Sequence, residues 1–117
     1  MAQAGTKMLL SGSTNGKGIK VVATSTLGTT IHTAVSGTSS LDEIYLYAYN
    51  DATSSAQLNI LWGGTIEPNN VFRTTILSRY GRTLVADGML LTSGSTVSAY
   101  SNISGSIMID GFVNRIT

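Results

Sequence analysis

A single histidine, His32, six carboxylates and no cysteine bound the chemistry this chain can perform. Zinc sites draw chiefly on Cys and His, so their usual constellations cannot form. Without cysteine there are no disulfides and no thiol nucleophile. His32 lies in the alternating run Thr29 to Val35. A lone His there reads as a surface or packing residue, and no acid is evident to orient it as a base. The acids are Asp42, Glu43, Asp51, Glu67, Asp87 and Asp110. Asp42 and Glu43 are adjacent, so on a strand they point to opposite faces. Asp51, Asp87 and Asp110 stand beside turn signals, where Asp bonds nearby backbone. Their spacing pairs no two of them as a glycosidase requires.

Two short motifs fail on inspection. Gly12-Ser-Thr-Asn-Gly16-Lys17-Gly18 superficially matches a phosphate loop. Three residues separate its first two glycines where four are needed, and Gly18 replaces the magnesium-binding hydroxyl. It reads as a hairpin loop. The serines supply no Gly-x-Ser-x-Gly elbow. The residues therefore call for no cofactor, no metal and no catalytic role.

What remains is a surface of hydroxyls and a row of tyrosines. Charged residues make up 11% of the 117 residues, whereas an average domain carries about 25%. Fifteen Ser and sixteen Thr must wet the outer faces instead, and Thr, being β-branched, also suits strands. A net charge of +1 and a mean hydropathy of +0.19 argue against disorder. They suit a protein that works in an assembly. Seven scattered Lys and Arg form no basic patch for nucleic acid. No apolar run approaches the ~20 residues of a membrane-spanning helix, and the first residues lack a signal peptide's basic start and apolar stretch.

The elements that position these residues are short β-like runs set off by Gly, Ser, Asn and Asp. They are Lys17–Thr24, Thr29–Val35, Glu43–Tyr49, Ala56–Trp62, Val71–Leu77, Thr83–Ala86, Thr96–Ser101 and Ser106–Ile116. Asp87-Gly88 reads as a turn, and Asp110-Gly111 as a bulge. Glu43–Tyr49 and Ala56–Trp62, joined by a polar turn, read as the chain's best hairpin. About eight strands at ten-residue spacing predict an all-β, single-domain antiparallel β-sandwich, jelly-roll-like or immunoglobulin-like. Residues 1–16 read as an N-terminal arm and first loop, and residues 17–117 as the sandwich.

Within Glu43–Tyr49, Ile44, Leu46 and Ala48 share one face, while Tyr45, Tyr47 and Tyr49 share the other. The aliphatic face predicts core. The tyrosines, apolar in body and polar at the tip, predict an interface. Trp62 shares a face with Leu58 and Ile60 and reads as core. The arm, with Ala2, Gln3, Thr6 and Lys7, is too small and polar to pack alone; strand addition to a neighbour would use it. These seven residues are the candidate interface.

The run Leu41-Asp-Glu-Ile-Tyr-Leu-Tyr-Ala-Tyr-Asn50, followed by Leu58-Asn-Ile-Leu-Trp-Gly-Gly64, resembles small virion proteins of tailed bacteriophages. Asp87-Gly-Met-Leu-Leu-Thr92, Val97-Ser-Ala-Tyr-Ser101 and the closing Gly111-Phe-Val-Asn-Arg-Ile-Thr117 are similar to the same group. The resemblance spans residues 17–117. It implies a capsid decoration or cement protein, made in the bacterial host cytoplasm and carried on the capsid surface. The implied partners are the major capsid protein and further copies of the chain, commonly as a trimer. A head fibre base, a tail or adhesin domain, and a carbohydrate-binding sandwich using the tyrosines or Trp62 are the alternatives.

Overall fold

Short runs of β-branched and aromatic residues cannot bury their apolar faces alone, so they pair into sheets and stack. The computed structural model describes residues 5–117. In it the chain forms β1 (Thr6–Leu9), β2 (Ile19–Val21), β3 (Thr29–Thr33), β4 (Leu41–Asn50) and β5 (Ala56–Trp62). There follow β6 (Val71–Ile76), β7 (Thr83–Leu91), β8 (Thr96–Ser101) and β9 (Ile107–Ile116). All named strand pairs are antiparallel, and the described residues contain no helix.

The strands make two sheets. Sheet A runs β1-β9-β4-β7, with β2 also on β9; sheet B runs β3-β8-β5-β6. From β2 onward the order 2-9-4-7 faces 3-8-5-6, the strand order of a jelly roll. That resolves the two sandwich topologies left open by the sequence. β1 and β2 share one edge of β9: Leu9 pairs with Phe112 and Ile19 with Ile109.

The core lies between the sheets. From sheet A it takes Ile44, Leu46, Ala48, Ile107, Ile109 and Val113; from sheet B it takes Leu58, Ile60, Ile76, Val97 and Ala99, all without solvent exposure. Burying each large aliphatic contributes about 1.5–3 kcal/mol. Trp62 packs at the edge of this cluster, as expected, and its indole N–H donates to the Leu90 carbonyl of the opposite sheet at 3.4 Å.

Four expectations are corrected. β4 and β5 are not a hairpin: β4 lies in sheet A and β5 in sheet B, because the polar turn between them carries the chain across the sandwich. Asp87-Gly88 is not a turn but the middle of β7, where Gly88 bulges between the pairs Ile44–Met89 and Tyr45–Asp87. Asp110-Gly111 is not a bulge against β4; Leu46–Gly111 and Tyr47–Asp110 continue the register unbroken. There the glycine serves close approach instead, since a Cβ on Gly111 would fall 1.9 Å from the Tyr45 carbonyl oxygen. Finally, part of the segment read as arm and loop belongs to the sandwich, because Thr6–Leu9 pairs along β9.

Candidate interface on the outer face of sheet A

β4 alternates as its sequence requires. Ile44, Leu46 and Ala48 are buried inward, and Tyr45, Tyr47 and Tyr49 stand half-buried on the outer face. β9 lies beside them with Asn114 opposite Glu43, Phe112 opposite Tyr45 and Asp110 opposite Tyr47. The Tyr45 and Phe112 rings stack with centroids 4.7 Å apart and planes 14° from parallel. Such a pair is worth about 0.5–1.5 kcal/mol beyond its buried area.

The cations on this face are held against its aromatics. Lys7 Nζ, from β1, sits 5.2 Å from the Phe112 centroid. The Arg82 guanidinium lies 4.3 Å from the Tyr47 ring and grips both Asp110 oxygens, the shortest contact being 2.9 Å. The Asp110 hydrogen bond raises the Arg82 pKa. The Tyr49 hydroxyl donates to Asp51 at 3.1 Å, a bond that pushes the phenol's pKa up.

Lys7 and the tyrosine row, two separate parts of the sequence, therefore meet through Phe112. Thr6 lies on the same strand but on the opposite side from Lys7, exposed and opposite Arg115. Ala2 and Gln3 lie outside the described residues.

Three residues the sequence reading missed complete the face. Leu9 is 55% exposed, Leu84 45% and Leu90 54%. Leu9 pairs with Phe112, while Leu84 and Leu90 stand opposite Tyr47 and Glu43. For Leu84 and Leu90 the sequence signal is corrupted by two bulges in β7, at Val85 and Gly88, each of which resets the two-residue alternation. The result is a mixed surface, aromatic and aliphatic side chains interleaved with the Arg82–Asp110 pair, Lys7, Glu43 and Asp87.

A second polar cluster was also missed. His32 and Asp42 are 2% and 0% exposed. His32 Nε2 lies 2.8 Å from Asp42 Oδ2, and Arg115 donates to both Asp42 oxygens at 2.7 and 3.0 Å. The Val35 amide adds a bond to the same carboxylate at 3.2 Å. On the far side of the ring, the Ser11 amide donates to Nδ1 at 2.9 Å, so the Nε2–H faces the acid. Both ring nitrogens are thus engaged, and the Ser11 hydroxyl accepts from the Thr33 amide rather than meeting the imidazole. This is not the geometry of a nucleophile and its base. It ties β3 of sheet B to β4 and β9 of sheet A. Burial would raise the Asp42 pKa, but the hydrogen bonds of Arg115 and His32 and the charge of Arg115 outweigh it and hold the carboxyl below its ordinary value.

No protein-family model, curated protein or solved structure matches the chain.

Proposed function

We propose that this protein is a structural component of a tailed-bacteriophage particle, a decoration or cement protein on the outside of the capsid. The observation that carries the reading is the outer face of sheet A, where exposed Leu9, Leu84 and Leu90 flank the stacked Tyr45 and Phe112. An outer face that exposes aliphatic side chains beside stacked aromatics suits an interaction surface, and Tyr and Phe are the residues enriched in interface cores. The low charge of the chain and its resemblance to small phage virion proteins support the same reading. The proposed partners are the major capsid protein and further copies of the chain, commonly three. Its role is mechanical rather than catalytic. A rigid sandwich repeated around a shell multiplies weak contacts through effective concentration.

Co-sedimentation of the purified protein with mature shells that lack it tests the proposal. Saturable binding at a copy number matching the shell lattice, with shells then resisting heat better, is the expected result. Binding in a few copies at one vertex, with no gain in shell strength, would reassign the protein to a fibre or tail. No binding to the particle would overturn the reading.

A further inference from the structure

On the opposite side of the molecule, sheet B carries an open groove of about 540 Å³. Leu27 and Gly28, before β3, form one wall, and Gly63, Gly64 and Thr65, after β5, form the other. The rest of the lining is Thr30, Ser95, Thr96 and Ser98, from β3, β8 and the turn before β8. The volume falls within the roughly 300–1,000 Å³ of small-molecule sites.

The chemistry of the lining is narrow. It holds five hydroxyls, no charged side chain and one apolar side chain, Leu27, which is 72% exposed. Elsewhere many Ser and Thr hydroxyls are used internally: Ser13, Ser78, Thr92 and Ser104 each bond a backbone carbonyl. Among the described residues, the side chains of Thr30, Thr65, Ser95, Thr96 and Ser98 make no hydrogen bond within the protein. Ser98 is the telling case. It is only 5% exposed, and what remains open faces the groove. Its Oγ is not sealed off, since the buried side-chain atom left without a partner among the described residues is Asn59 Oδ1; the Ser98 hydroxyl is reached through the groove, where it can donate and accept.

We propose that this groove is a binding site for a neutral carbohydrate. Sugar hydroxyls both donate and accept, as do those of Thr30, Thr96 and Ser98, and the CH face of a pyranose fits against Leu27. An anionic or cationic ligand would lose hydration with no counter-charge to replace it. The site lies on the sheet opposite the proposed docking face, so it stands independently of the capsid reading. On a bound copy it would point away from the shell.

Amide NMR spectra of the full chain provide the test. The probes are neutral disaccharides built from glucose, galactose, mannose and N-acetylglucosamine, with sialyllactose as the charged control. At least one neutral sugar is expected to give saturable shifts confined to residues 27–30, 63–65 and 95–98. The Ser98→Ala and Thr96→Val double variant, whose spectrum elsewhere reports that it folds, should weaken that binding roughly tenfold, as the loss of two hydrogen bonds predicts. The inference is overturned if no neutral sugar produces saturable shifts there, if the folded double variant binds as well as the parent, or if the charged control binds more tightly.

Discussion

Arg115 closes on Asp42 across the β4–β9 pair, Nε to Oδ1 at 2.7 Å, and the carboxylate it holds has no solvent exposure. That acid also receives His32 from the opposite sheet. Removing it leaves a guanidinium, an imidazole N–H and the Val35 amide without their acceptor. Asp42→Ala is therefore expected to destabilise the fold by about 3–5 kcal/mol, the cost of breaking a buried pair from one side. Urea unfolding followed by tryptophan fluorescence measures it, since Trp62 is the one tryptophan.

The same carboxyl fixes the sign of a pH dependence. Its pKa is lowered in the folded protein by Arg115 and His32 acting against burial, so in acid the unfolded chain binds the extra proton first. The stability it contributes is complete above the ordinary carboxyl value of about 3.9 and drains away as pH falls through the lowered folded value. Urea midpoints taken from neutral pH to about pH 3 should drop with acid. In Asp42→Asn, which cannot titrate there, this part of the slope should vanish.

Gly111 and Gly37 offer a controlled pair. Both have positive φ, 150° and 79°. A Cβ at Gly37 meets nothing within 4 Å, whereas at Gly111 it meets the Tyr45 carbonyl oxygen. Gly37→Ala should cost about 1–2 kcal/mol, the backbone penalty alone. Gly111→Ala should exceed it by at least about 2 kcal/mol, because β9 must move off β4 at the centre of sheet A. The difference between the two urea midpoints measures the clash with β4 together with the larger backbone penalty at φ 150°.

Leu84→Lys and Leu90→Lys probe the outer face without touching the core. Both side chains are about half exposed, so each variant should keep its stability within about 0.5 kcal/mol. If the face docks on the shell as proposed, each should weaken co-sedimentation about tenfold or more, the loss expected at a buried interface position. Unfolding curves run on the same samples separate the two effects.

The parts of this molecule legible in the sequence are those where alternation is unbroken. β4 reads correctly over Glu43–Tyr49, with Tyr45, Tyr47 and Tyr49 outward, because its register with β9 has no bulge. β5 and β8 match the sequence runs Ala56–Trp62 and Thr96–Ser101. Reading fails where one extra residue shifts the phase. In β3 the register slips between Thr30 and His32, so Ile31 and His32 are consecutive and both buried. That slip left His32 readable only as a surface or packing residue, and its buried partnership with Asp42 unseen. In β7 two such slips placed Leu84, Asp87 and Leu90 on one face at intervals of three. The Tyr45–Phe112 stack was illegible for another reason: it joins residues 67 positions apart in sequence, and only the strand order brings them together.

β9 lies between β4 on one side and β1 and β2 on the other. Until residues 107–116 have left the ribosome, the first two strands have no partner and the β4–β7 ribbon has an open edge. Sheet A therefore cannot close before β9 emerges, while sheet B, complete by Ser101, can already pair. A nascent chain arrested before Ile107 would leave one edge of β4 unpaired and the shared core without Ile107, Ile109 and Val113. Ribosome pausing or premature termination in that window should feed aggregation far more than the same event after Ile116.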